Sequence, residues 1–276
     1  TMKKVITATI VFFIIVIGQY LMLIKKQSIY VYNDSGVSEE ALTHTVSFFK
    51  KNYAKDYNII TINAAQIKTT NWYDNAALFV MPGGADIPYA RKLNGQGNKI
   101  IKDYVKNGGS YLGICAGSYY ASAKIEFDKD GPLEVIGTRE IDFFPGIAKG
   151  PVLAPFEYKS NSGTRAAKIV YNDKEIAVFY NGGPYFILPK NLANMETLAY
   201  YNYAQKLLPA IVKVKYGNGL AILSGVHFEY DTNKLGSNDV HLKKIIPLLA
   251  KSHNETEKLA IAIIGDLGIE KNYIRT

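Results

Sequence analysis

Cysteine is almost missing from this chain: Cys115 is the only one in 276 residues. No disulfide can form within the molecule. Histidine is scarce too, with four copies, and no His/Cys spacing suits zinc. The glycines at 95 and 97 lack the Lys-Ser/Thr of a phosphate-binding loop. EFDKDG, residues 126–131, begins like a calcium loop, but its twelfth position is Gly137, where a bidentate Glu is required. No metal and no cofactor are therefore expected. The chain also lacks internal repeats, low-complexity tracts, helix-turn-helix patterns and basic stripes interleaved with aromatics, so no nucleic-acid partner is expected. The formal charge of +8 does not reverse this, because Lys3, Lys4, Lys25 and Lys26 supply half of it around one apolar run.

What is present is a globular composition, 48% hydrophobic and 20% charged, with 21 tyrosines that suit sheets and half-buried loops. The apolar run, residues 5–24, reads VITATIVFFIIVIGQYLMLI and carries no charge. Twenty residues at helical rise cover about 30 Å, the hydrocarbon thickness of a bilayer. Thirteen of them are Leu, Ile, Val or Phe, favouring insertion by roughly 4–8 kcal/mol. Residues 1–27 are expected to be an N-terminal membrane anchor or a signal segment, and 5–24 the part that contacts the membrane. A long core with no A-x-A-like site after it favours the anchor over the cleaved signal, and an apolar surface all round favours it over a buried core helix. Lysine pairs flank both ends, and the free N-terminus adds one charge to the first. The expected localisation is the cell membrane, single-pass, with the domain on the non-cytoplasmic side; cleavage would leave it secreted or periplasmic.

Residues 28–276 are expected to form one domain. SIYVY, YNIITIN, AALFVM, SYLGIC and GLAILS read as strands. Helices are expected from Ser38, over residues 90–106, directly after Cys115 (AGSYYASAK), and over the two C-terminal stretches DVHLKKIIPLLAKS and NETEKLAIAIIGDL. Between residues 131 and 217 the short runs AAKIVY, EIAVFY and PAIVKVKYG are separated by turns. The fold class expected is α/β: a flavodoxin-like, doubly wound, mostly parallel sheet with an antiparallel β extension, preceded by the N-terminal hydrophobic helix.

GICAG, residues 113–117, closes a strand and opens a helix. A nucleophile on such an elbow needs close backbone approach on both sides, which suits a glycine two residues before Cys115 and another two after it. The following helix would aim its N-terminal N–H groups at the sulfur, favouring an anion there. The Ala116 N–H would face a developing oxyanion. The same pattern also suits a buried structural cysteine in a tight turn. A thiolate needs a partner imidazole from elsewhere in the chain. His44, His241 and His253 sit among polar and basic residues and read as surface groups. His227 ends a strand and is followed two residues later by Glu229, which in extended chain faces the same side and would hold its tautomer; a solvated strand-end histidine is the other reading. MPGGAD, residues 81–86, again lies just past a strand, where Gly84 would offer a second oxyanion N–H and Gly83 would border the substrate; an ordinary turn fits as well.

PGG, then GxCxG, then HxE resembles class I glutamine-amidotransferase-like domains. GICAGSYYAS, FFPGIAKGP and YNGGPYF together resemble, more narrowly, the N-terminal domain family of biotin–protein ligases, from Ser28 to about residue 250. The resemblance implies a triad of Cys115, His227 and Glu229, with Gly84 and Ala116 as oxyanion donors. Active glutamine amidotransferases place a Gln soon after the elbow; here Ser118 and Tyr119 stand there as substrate-binding candidates. No ligase catalytic domain follows in this sequence, so biotinylation is not expected of it. The expected function is a Cys-dependent amidohydrolase or amidotransferase-like activity on a small-molecule or peptide amide. The alternative is a catalytically silent binding or regulatory module of the same fold.

Overall fold

A computed structural model describes residues 26–190 and 193–271. The chain runs β1 (Ser28–Tyr32), α1 (Glu39–Tyr53), β2 (Asn58–Ile62), α2 (Ala64–Thr69), β3 (Ala76–Met81), α3 (Asp86–Leu93), α4 (Gln96–Lys106), β4 (Ser110–Ile114) and α5 (Ala116–Tyr120). A β-rich stretch follows: β5 (Ser122–Phe127), β6 (Val135–Thr138), β7 (Phe144–Gly150), β8 (Arg165–Tyr171), β9 (Lys174–Tyr180), β10 (Tyr185–Ile187), β11 (Met195–Tyr203) and β12 (Lys206–Tyr216). Strand β13 (Gly219–Ser224) and helices α6 (Leu242–Lys251) and α7 (His253–Asp266) come last.

The localisation expected from the sequence is corrected here. The run 5–24 lies outside the described residues, and no helix among the described residues is long and apolar enough to cross a membrane. Helix α1, with 15 residues, reaches only about 22 Å and carries Lys50 and Lys51 in its last turn. A single-pass placement with the domain on the non-cytoplasmic side is therefore not supported, nor is its secreted or periplasmic variant.

Nine strands form one mixed sheet in the order β2-β1-β3-β4-β13-β12-β11-β8-β9. The pairs among β2, β1, β3, β4 and β13 are parallel; those from β13 to β9 are antiparallel. The chemistry of each strand explains its place. All five residues of β4, SYLGI, are buried, as a central strand covered on both faces requires. Alternate residues serve opposite layers. Ile29, Val31, Leu78, Val80, Leu112 and Ile114 pack one face with Phe49 of α1 and Leu259 and Ile263 of α7. Phe79, Met81 and Tyr111 pack the other with Ile101, Tyr104 and Val105 of α4.

Three features differ from expectation. The helix expected over residues 90–106 is two helices, broken at Asn94-Gly95, where Gly95 takes φ +79°. The helix after Cys115 stops at Tyr120, because Ser122–Phe127 joins a separate four-stranded sheet, β10-β7-β5-β6. That second sheet was not foreseen. The antiparallel extension expected within the same domain is present, as β12, β11, β8 and β9 continuing the parallel strands.

One ion pair ties the end of the second sheet to helix α3, which follows β3. Arg139, just past β6, donates from Nε to Asp86 Oδ2 at 2.7 Å, with Nη2 at 2.6 Å, and both side chains are largely buried. Burial pushes the Asp86 carboxyl above its usual value even though the guanidinium pulls it down. The attraction thus falls short of the desolvation cost. Arg139→Met should destabilise the protein by about 3 kcal/mol in urea unfolding, because it strands a buried carboxylate. The double variant Asp86→Leu, Arg139→Met should recover most of that loss.

Candidate functional site

The strand order brings three carboxyl ends side by side, with β4 between β3 and β13. Met81 pairs with Gly113, Gly113 with Leu223, and Ile114 with Ser224. The segments that leave these ends, Pro82-Gly83-Gly84, Cys115 and Gly225–His227, are therefore neighbours at one sheet edge.

Cys115 takes φ +52°, ψ −108°, a conformation that non-glycine residues rarely adopt. Its N–H donates to Ser224 O at 2.8 Å, and its carbonyl accepts from the N–H groups of Ser118 and Tyr119 at 3.0 and 3.1 Å. The flanking glycines are steric necessities. A Cβ on Gly113 would stand 2.6 Å from Gly117 O, and one on Gly117 would collide with Met81 O. Gly117 N–H donates to Pro82 O at 3.2 Å, binding the elbow to the double-glycine turn. The Ala116 and Gly84 N–H groups have no acceptor among the described residues. Because α5 has five residues, its dipole is far weaker than that of the longer helix expected after the elbow.

His227 stands three residues past the end of β13, with its N–H donating to Phe179 O at 2.8 Å. Its Nδ1 lies 2.8 Å from Glu229 Oε1. The two meet through a turn rather than along an extended strand, so the pairing expected from sequence is present for a different geometric reason. Ser224 Oγ shapes that turn, donating to Val226 O and accepting from Val226 N–H. The Cys115 side chain is among the groups that raise the imidazole's affinity for a proton. A Cβ at Gly83 would stand 2.8 Å from His227 Cε1 and 3.5 Å from Cys115 Cβ, so Gly83 borders both groups. Burial opposes charge on the imidazole most strongly, but the Glu229 carboxylate, hydrogen-bonded to it, and the Cys115 side chain outweigh it and hold His227 well above its ordinary value, up to about 10.

Cys115 and His227 open on one cavity of about 590 Å³, lined also by Gly83, Gly84, Glu40 and Asn181. The sulfhydryl donates to Asn181 O at 3.5 Å. Ser118 lies elsewhere: it is fully buried, and its hydroxyl donates to Cys115 O at 2.7 Å. Tyr119 reaches a smaller hollow beside Cys115 and donates to Gly182 O at 3.1 Å. A Cβ on Gly150 would collide with that hydroxyl, so FFPGIAKGP and YNGGPYF meet under the elbow. Among the described residues, no group of three His, Cys, Asp or Glu side chains could hold a metal ion.

His44 corrects an expectation. It is 6% exposed, its Nδ1 accepts the Asp231 N–H at 3.2 Å, and its ring stacks on Tyr230 at 4.1 Å. Tyr230 in turn stacks on Phe179 at 4.5 Å and tilts against His227 at 4.6 Å. This aromatic wall fixes the imidazole. The signal for it was helical spacing: Ala41, His44, Thr45 and Phe49 form the buried stripe of α1.

Fold and site define an α/β protein with a cysteine elbow at the carboxyl edge of its parallel strands. Residues 27–275 match the model of the family described as biotin-protein ligase, N terminal, and the chain belongs to that family. An uncharacterised protein of Chlamydia muridarum (strain MoPn / Nigg) is 38% identical over 212 residues, 75% of this chain and 82% of that one. The biotin–protein ligase of Schizosaccharomyces pombe is 34% identical over 210 residues, 74% of this chain but 33% of that enzyme. Among solved structures, a catalytic mutant of a GH42 beta-galactosidase from G. stearothermophilus superposes with a TM-score of 0.51 at 11% identity, covering 90% of this chain and 31% of that one, a likeness of fold alone.

A raised imidazole pKa fixes the sign of a pH effect. The charged form contributes stability that is complete below about pH 6.5 and is lost as pH rises through about 10. His227→Gln should therefore cost about 3 kcal/mol at pH 6. The difference from the parent should shrink steadily toward pH 10 in urea unfolding measured at each pH.

Proposed function

We propose that residues 28–276 form a class I glutamine-amidotransferase-like domain that cleaves or transfers an amide or related acyl group. Cys115 is the nucleophile, His227 the acid–base partner and Glu229 the group that orients it. The observation that carries this reading is the meeting of Cys115 and His227 on one cavity wall, with His227 Nδ1 at 2.8 Å from Glu229 Oε1. The Cys115 proton passes to His227, Sγ attacks the carbonyl carbon as the thiolate, and the Ala116 and Gly84 N–H groups receive the oxyanion. Collapse of the tetrahedral intermediate breaks the C–N bond, and the imidazolium gives its proton to the departing amine. Water or an acceptor amine, deprotonated by His227, then attacks the thioester and releases Cys115. Gly83 lies at the cavity wall with no side chain, leaving room for the acyl group. Ser118 acts by holding the Cys115 carbonyl rather than by touching substrate, and Tyr119 supports the NGG turn. A peptide amide agrees with kinship to an enzyme named for joining biotin to protein.

Alkylation of Cys115 by iodoacetamide tests the reading. The folded protein should react about tenfold or more faster at pH 7 than the urea-unfolded chain, and His227→Ala should remove about tenfold. Folded and unfolded rates that coincide, with no effect of His227→Ala, would instead support a silent binding module.

A further inference from the structure

The charge around the Cys115 cavity is opposite in sign to the charge of the whole chain. The chain carries a formal +8. The cavity wall nevertheless holds three carboxylates, Glu39, Glu40 and Glu157, against the single amine of Lys159. None of these four side chains forms a salt bridge among the described residues, although Glu157 accepts the Ser162 hydroxyl at 3.2 Å and Glu40 lies within the field of His227. Glu39 and Glu40 sit in the first turn of α1, where acidic residues are ordinary, but Glu157 comes from the loop between β7 and β8, which shares no backbone with that turn. The same loop supplies Phe156 and Tyr158, aromatic faces on the same wall that suit a cation. A second feature points to a hydrogen-bond donor in the ligand. Asn181 lines the cavity, and its buried Oδ1 has no hydrogen-bond partner. A free amino acid such as glutamine would bring a carboxylate to this wall, where the three carboxylates face only Lys159 and an imidazolium already paired with Glu229.

We propose that the Cys115 cavity selects an amide carried by a positively charged peptide, one with an amine or guanidine group near the reacting carbonyl, and disfavours donors with a free carboxylate. The inference rests on reading Cys115 as the nucleophile. The carboxylates steer the cationic donor inward, and the aromatic side chains of the β7–β8 loop cover it.

Because Cys115 is the only thiol, its modification reports on the cavity without ambiguity. Methanethiosulfonates carrying a trimethylammonium or a sulfonate group are the probes; Sγ attacks the reagent sulfur, a mixed disulfide forms and methanesulfinate leaves. Relative to the same ratio in the urea-unfolded chain, the cationic reagent should be favoured about tenfold at low salt, with the preference falling as salt is added. The triple variant Glu39→Gln, Glu40→Gln, Glu157→Gln should bring the ratio near that of the unfolded chain, and the salt series on the parent protein gives the same answer should the triple variant not fold. Protection of Cys115 from iodoacetamide by tripeptide amides bearing lysine, alanine or glutamate completes the test, and the lysine peptide should protect best. A ratio that does not depend on folding or salt, or protection by the glutamate peptide equal to that by the lysine peptide, would overturn the inference. Slow Cys115 labelling with the charge preference intact would remove the nucleophile and leave the electrostatics; fast labelling without the preference would do the reverse.

Discussion

A close backbone approach at the elbow is the constraint on which the rest of the site depends. Gly117 lies against Met81 O so tightly that no side chain fits between them. That contact draws the start of α5 onto the end of β3 and leaves Cys115 at the apex with a positive φ. A non-glycine residue in that region costs on the order of 1–3 kcal/mol and persists only where the surroundings over-determine it. Here the hydrogen bonds from Cys115 N–H to Ser224 O and from Gly117 N–H to Pro82 O supply that determination from both neighbouring strands. The elbow is thus a product of the parallel sheet and could not form on β4 alone.

The second sheet serves the same point from below. Strands β5, β7 and β10 carry the backbone that ends at Gly150 and resumes around Gly182, and the Tyr119 hydroxyl joins them to α5. Gly183 is pressed against Gly225 O, so the NGG turn also touches the chain just before His227. A stretch that reads in sequence as a digression between two apolar strands is the support on which Cys115 and His227 rest. This explains why two motifs far from the cysteine, FFPGIAKGP and YNGGPYF, accompany it: they fill space that admits no Cβ.

The elements that were legible in sequence share one property: a local pattern that tertiary packing reinforced. Ser28–Tyr32 and Gly219–Ser224 are apolar runs bounded by turn residues, and α1 begins at Ser38, whose hydroxyl accepts the Ala41 N–H. GxCxG was legible because close approach needs glycine whatever surrounds it. The second sheet was not, because its strands β6 and β10 are short and one of its pairings, β5 with β7, joins segments through a long excursion. The burial of His44 was hidden for a related reason. A histidine among Ser, Thr and Lys looks solvated until Tyr230, far away in sequence, is known to lie on it. The meeting of His227 and Glu229 was legible by accident of spacing, since a turn and a strand can both bring residues i and i+2 together.

Energetics bear on why an ionic pair stands here at all. Glu229 is buried, and its second carboxylate oxygen, Oε2, has no hydrogen-bond partner. An unsatisfied buried acceptor costs about 1–3 kcal/mol, and apolar side chains of similar volume would generally pack such a site at no loss of stability. The wall around it is already aromatic, with Phe179 and Tyr230 against the imidazole, so an apolar replacement would have had partners. The fold therefore does not require the His227–Glu229 pair. What the pair does is keep a proton on an imidazole that burial would otherwise strip, beside a sulfur held at the wall of a cavity. A buried ionic pair at the wall of the cavity that Cys115 lines is hard to account for by packing alone.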